Sequence, residues 1–229
     1  LCLLCSAIIS IIAIQLRSIQ ENNVVLDMQK KIVSSAGLTA VYGSVENAMS
    51  NIKTMIIDLD KGEVVDISPD SYELAKELRE EGKYKFLSAE NDIASIKKRE
   101  KFSKVYIEYK DDKINTLILP VRGYGLWGIL YGYLAIEGDF NTVAGLEFYE
   151  HKETPGLGAE IDNPKWKALW KGKKIYQEDG QVSLKVIKGS VLENSDNFVY
   201  EVDGLSGATL TCNGVTCLLY TSDAADDVR

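Results

Sequence analysis

The chain has 229 residues, 45% hydrophobic and 9% aromatic, with 18 glycines and a formal net charge of −8. These proportions suit one globular domain of ordinary size with room for an anchor. The acidic balance argues against nucleic-acid binding, which calls for a basic patch.

The first sixteen residues, Leu1 to Leu16, are apolar, and no charge appears before Arg17. A membrane-spanning helix needs about twenty such residues. The run is slightly short and lacks an initial Met, so residues 1–16 are expected to be a transmembrane anchor cut at its N-terminal side. A cleaved signal peptide is the rival reading, but Ala7 and Ala13 make a poor small-residue cleavage site. After Arg17, Ile19, Val24, Val25, Met28, Ile32 and Val33 recur at near-helical spacing. Gly37 is the stop signal of that helix.

Thr54–Leu59 and Glu63–Asp66 flank Lys61-Gly62 and predict a hairpin. Residues 70–101 are charged and partly helical in expectation, with Tyr72–Gly82 as one helix. Val105, Ile107 and Tyr109 alternate with polar or charged neighbours as in a strand, and Asp111-Asp112-Lys113 makes a turn. Asn115–Val121 is a second strand, which Pro120 ends or places at an edge. Tyr131–Ile136 and Gly145–Tyr149 are further strands. Pro164–Trp170 is a short helix with Asn163 as cap and Pro164 at its first position. Val182–Ile187 and Phe198–Val202 are late strands. The fold class is α+β: an N-terminal transmembrane helix, then one domain over 17–216 whose largely antiparallel sheet is flanked by helices.

Residues 217–229, beginning Cys217-Leu218-Leu219-Tyr220-Thr221-Ser222-Asp223, read like a translated sequencing-library adaptor. They are expected to be a non-native tail. The domain would then stop near Val215 or Thr216, without a further C-terminal helix. A natural acidic, disordered tail is the alternative. Cys2 and Cys5 fall in the anchor and Cys217 in the tail. Cys212 alone remains in the domain, which therefore has neither a disulfide framework nor a C-x-x-C metal pair.

Two glycine-containing loops carry the chemistry. Asp203-Gly204-Leu205-Ser206-Gly207-Ala208-Thr209-Leu210-Thr211 packs small residues and hydroxyls together. Glycine lets the backbone approach an anion, and successive N–H groups can converge on it. Glu153-Thr154-Pro155-Gly156-Leu157-Gly158 is a second such loop upstream. The bland readings are a turn before a helix that has Thr211 as its N-cap, and a Pro-Gly turn with Leu157 in the core.

Ser206–Thr211 resembles the flavinylation motif of proteins that carry FMN on a threonine through a phosphoester. Tyr124–Ala135, Glu150–Trp166 and Leu16–Asn23 are similar to the C subunits of sodium-translocating NADH:quinone oxidoreductases. A related Rnf-type electron-transport subunit shares the flavinylation motif but resembles the Trp127 and Trp166 regions less well. The resemblance implies FMN joined covalently to Thr211, with Ser206, Gly207, Ala208, Thr209 and Leu210 around the phosphate. It implies flavin contacts from Glu153, Thr154, Gly156, Leu157 and Gly158. It further implies electron relay within a sodium-pumping complex, other subunits of that complex as partners, and a separate flavin transferase that moves the FMN part of FAD onto Thr211. The domain would lie outside the bacterial cytoplasmic membrane, with no nucleic-acid partner. No catalytic residue and no metal ligand are expected in this subunit, and no metal cluster stands beside the motif. The rival from another class is an anchored extracytoplasmic binding module in which the loops are plain turns.

Trp127 and Tyr131 are candidates to shield the flavin ring, with core packing as the equal alternative. His151, the only histidine, reads as structural, and Trp166 and Trp170 as a packing face. Ser50-Asn51-Ile52-Lys53 and Ser195-Asp196-Asn197 match two triplets of penicillin-binding enzymes, but no K-T-G follows and the chain is short for that fold.

Overall fold

The structure, a computed structural model, describes residues 2–221. Helix α1 (Cys2–Ser35) joins the apolar start and the following periodic stretch into one element. Gly37 at φ 65° ends it, in a left-handed conformation that glycine adopts without steric cost. Among the described residues no helix is long and apolar enough to cross a membrane. The expected anchor falls in the first half of α1, where the described apolar run before Arg17 covers residues 2–16, short of about twenty. Two short helices follow, α2 (Leu38–Tyr42) and α3 (Val45–Ser50), the latter capped by Ser44, whose side chain accepts the Asn47 N–H.

The expected hairpin is β1 (Ile52–Asp58) with β2 (Glu63–Val65). The helix expected over 72–82 shrinks to one turn, α4 (Leu74–Glu77), followed by a small hairpin, β3 (Tyr84–Phe86) and β4 (Lys98–Glu100). Leu74 and Leu78 are the segment's only aliphatic residues larger than Ala. Its acidic run therefore lacks the apolar face that holds a short helix against a domain. In the hairpin the Lys98 ammonium sits 3.8 Å from the Tyr84 ring centre.

Strands β5 (Phe102–Lys110) and β6 (Lys113–Tyr124) turn on Asp111 and Asp112, both at positive φ. This two-residue connection matches the strand twist. With β7 (Ile129–Glu137) and β8 (Val143–Glu150) they complete an antiparallel sheet in the order β2-β1-β5-β6-β7-β8. Pro120 does not end β6. Pairing with β5 stops at Ile118, so Pro120 lies where that side of β6 is already an edge.

Helix α5 (Pro164–Ala168) begins as predicted, with the Asn163 side chain accepting the Lys165 N–H. The two late strands reduce to a parallel two-residue pair, β9 (Lys185–Val186) and β10 (Glu201–Val202). Their backbone is engaged elsewhere: Ser183 N–H bonds to Ile175 O, and Val186 N–H to the Thr216 hydroxyl. Helix α6 (Thr209–Thr221) closes the described chain. It does not stop at Thr216, and Leu218 and Leu219 are buried. Its residues beyond Thr216 continue the apolar face that packs on the sheet. Residues 222–229 of the expected tail lie outside the described residues.

The sheet has a core on each face. Alternation along β7 sends Leu130, Leu134 and Ile136 to one side, with Phe148, Trp170, Val215 and Leu218. Tyr133 and Ala135 go to the other, with Ile32, Val33, Leu38 and Ile118. Each fully buried side chain of this size contributes about 2 kcal/mol. The first core presses α6 onto β6 and so positions the site.

Candidate functional site

Three segments meet at one end of the sheet: the β6–β7 loop (125–128), the stretch after β8 (151–158), and the first turn of α6. Glycines allow the approach. A Cβ on Gly214 would stand 2.3 Å from Tyr124 O, and one on Gly123 would stand 2.9 Å from the Leu218 Cβ. Helix α6 therefore lies on the β6 backbone with no side chain between.

Thr211 is in that first turn and fully buried. Its hydroxyl donates to Glu153 Oε2 at 2.5 Å. The other carboxylate oxygen, Oε1, accepts the N–H groups of Leu126 and Trp127, each at 3.0 Å. Glu153 is itself only 5% exposed, so one buried carboxylate joins all three segments. A Cβ on Gly158 would fall 2.6 Å from both Glu153 Oε2 and Thr211 Oγ1. The Gly158 turn thus roofs the hydroxyl beside Glu153, and a ligand atom reaches Oγ1 only if that turn moves aside.

Behind the carboxylate, His151 Nδ1 accepts the Glu153 N–H at 3.2 Å, and Nε2 meets Asp162 Oδ2 at 2.8 Å. With Nδ1 accepting, Nε2 carries the proton and donates to Asp162. His151 is structural, as its sequence context suggests: it fixes the backbone that aims Glu153. The Trp127 indole N–H donates to the Thr154 hydroxyl at 3.0 Å. The Thr154 carbonyl accepts from Leu157 and Ala159, closing the Pro155-Gly156 turn, with Gly156 at φ 75°.

The loop residues divide by exposure. Ser206, Gly207, Thr209 and Leu210 are exposed, while Ala208 is buried. Gly207 takes φ 73° and lies against Leu157. Thr211 is not an N-cap, because α6 starts at Thr209 and the Cys212 N–H already reaches Ala208 O at 2.9 Å. The N–H groups of Thr209, Leu210 and Thr211 precede that first helical bond, which is where a helix holds an anion. Leu157 is 45% exposed rather than in the core, and Trp127 is 62% and Leu210 58% exposed. Apolar surface therefore flanks a buried hydroxyl and an anion-favouring helix start, and this set fits a ligand that is phosphate at one end and a flat ring at the other.

Tyr131 does not join them. It stacks obliquely on Tyr149, 5.9 Å between ring centres, in a cleft of about 640 Å³ on the opposite side of the sheet. Trp166 and Trp170 pack edge to face, and the Trp166 indole N–H donates to Asp203 O. Burial raises the thiol pKa of Cys212, which accepts the Leu205 N–H and so ties the motif loop to α6. Ser50 donates to Asn47 O, and the Ser195 hydroxyl accepts the Asn197 N–H. Both triplets are local turns. The sequence named Trp127 but did not show that its N–H and that of Leu126 hold Glu153, nor that the glycines at 123, 125 and 214 admit close approach. The crowding of glycines over 123–132 was the available signal. Among the described residues, no group of His, Cys, Asp and Glu could hold a metal ion.

The FMN-binding domain family matches residues 125–220, which contain all three segments. The chain is 47% identical to the C subunit of the Na+-translocating NADH-quinone reductase of Pseudomonas aeruginosa, over 96% of this chain and 86% of that one. It is 40% identical to the protein of the same name in Vibrio alginolyticus, over 94% and 83%. The crystal structure of NqrC from Shewanella oneidensis superposes with a TM-score of 0.73 at 31% identity, covering 84% of this chain and 88% of that one.

Proposed function

The chain belongs to the family of Na+-translocating NADH-quinone reductase C subunits, and from that premise we propose that it relays electrons through FMN joined by a phosphoester to Thr211. The observation that carries this reading is the placement of Thr211. Its hydroxyl lies in the first turn of a thirteen-residue helix, beneath a glycine turn and between exposed apolar side chains. Bound there, FMN supplies one-electron chemistry.

The chain's own residues hold and shield the group. The first-turn amides of α6 and the backbone at Ser206 and Gly207 favour the anionic ester. Leu157, Leu210 and Trp127 offer apolar contact to the ring system. Thr154, anchored by the Trp127 indole, presents a polar edge with Gly156 and Gly158. Such contacts set the potential of a flavin. A covalent bond keeps the cofactor in place outside the cytoplasm, where a flavin transferase would have installed it.

The remaining subunits of the reductase are the partners, and NADH oxidation and quinone reduction take place elsewhere in that complex. Membrane attachment runs through the start of α1, where Leu3, Ile9 and Ile14 are exposed with no protein surface covering them.

The test is co-expression of the chain with a flavin transferase, followed by in-gel flavin fluorescence and peptide mass mapping. Wild type should fluoresce, with the added mass on the peptide containing Thr211. Thr211→Val should be dark. Equal darkness of both, with an active transferase, would return the glycine loops to ordinary turns.

A further inference from the structure

Glu153 is more than a contact of the cofactor. Its Oε2 lies 2.5 Å from the Thr211 hydroxyl and accepts that group's proton in a hydrogen bond. Its Oε1 is held by two backbone N–H groups. The carboxylate is therefore fixed in orientation, with one oxygen committed to structure and the other to the hydroxyl. Removal of that hydroxyl's proton is the step an unactivated threonine cannot make unaided.

We propose that Glu153 accepts the Thr211 proton during flavin attachment. This rests on the reading that Thr211 carries FMN. In balance, the Oγ1–H bond breaks and its proton passes to Glu153 Oε2. Oγ1 bonds to the flavin-side phosphorus of a flavin–adenine dinucleotide held by the transferase. The pyrophosphate P–O bond breaks, and AMP leaves with the electron pair.

Glu153→Gln separates chemistry from structure. The glutamine carbonyl can still accept from Leu126 and Trp127, but its amide cannot take a proton from Thr211. Purified full chain, purified transferase and flavin–adenine dinucleotide are mixed in single turnover, and adduct is followed by intact mass. The saturating rate should fall about 100-fold or more, the scale of a positioned proton acceptor. The carrier concentration for half-saturation should stay within about twofold, because docking is untouched. Glu153→Asp, which retains a base, should recover part of the rate and decides the matter if the glutamine variant does not fold.

A wild-type rate in a folded Glu153→Gln overturns the proposal and leaves the ester reading standing. So does an aspartate variant that is folded yet slowed by the same factor of about 100. Absence of adduct on wild type, with the transferase active on another carrier, overturns both.

Discussion

Glu153 makes its contacts in a space with no slack, and Gly158 shows how little there is. A methyl at that position would meet two polar oxygens at 2.6 Å, a separation side-chain carbons do not adopt. Neither oxygen is the free end of a flexible chain: Glu153 is pinned through Oε1 and Thr211 sits on a helix. Gly158→Ala should therefore break the Thr211–Glu153 bond rather than merely crowd it. The expected cost is about 1–3 kcal/mol, read from urea unfolding, with flavin attachment reduced in the same variant. A full yield of adduct at wild-type stability would mean that the roof over Thr211 is looser than this packing. The sequence pointed to the loops holding Gly158 and Thr211 through their glycines and hydroxyls, and to their cofactor roles through the family resemblance. It could not show that Glu153 lies between them, because a contact between residues 153 and 211 leaves no trace in local spacing.

Helix α6 has no side chain between itself and β6 at its closest point, and this contact sets where Thr211 lies. Gly214 shows the conflict between local and tertiary preference. In an isolated helix, Gly→Ala favours the helix by about 1 kcal/mol. Here the new methyl would fall 2.3 Å from the Tyr124 carbonyl oxygen and 3.0 Å from Gly125 Cα, both backbone atoms. Backbone cannot yield as a side-chain tip does, so the clash outweighs the propensity. Gly214→Ala should destabilise by about 2 kcal/mol net and lift the first turn of α6, freeing the Cys212 amide from Ala208 O to faster hydrogen exchange. A more stable variant would show that the helix can slide. Elements such as β1, β5, β7, β8 and the C-terminal half of α1 were legible in the sequence because their apolar residues follow strand or helix spacing. The segment over 72–82 was not, since its charges imitate a solvated helix while its backbone turns after α4 into the β3–β4 hairpin. The late strands shrank for a related reason: their apolar residues pack, but the Ser183 and Val186 N–H groups bond to Ile175 O and the Thr216 hydroxyl, leaving only a two-residue pairing.

Across the whole molecule, the two cores must move as one for a site on one face of the sheet to keep a fixed place relative to α1 on the other. Glu147 is the clearest link. It lies on β8, three residues before that strand ends and the stretch leading to Glu153 begins. It is buried, and it accepts from Ser34 at 3.0 Å, from Lys31 at 3.5 Å and from Lys167 at 2.5 Å. One carboxylate thereby joins the end of α1, the sheet and α5. Removing it leaves the mostly buried Lys167 ammonium without this partner, and an uncompensated buried charge is costly. Because Lys31 keeps about a quarter of its side chain in solvent, water can take over part of the loss. The net effect of Glu147→Ala should then be about 2 kcal/mol rather than the larger figure for a fully enclosed pair. Its signature is spatial. Amides of residues 28–35 and 164–168 should exchange faster, while those of Leu126 and Trp127, bonded to Glu153, keep their protection. Faster exchange at Leu126 and Trp127 as well would mean that α1 and the site form a single cooperative unit, and that movement of the helix reaches Thr211 directly.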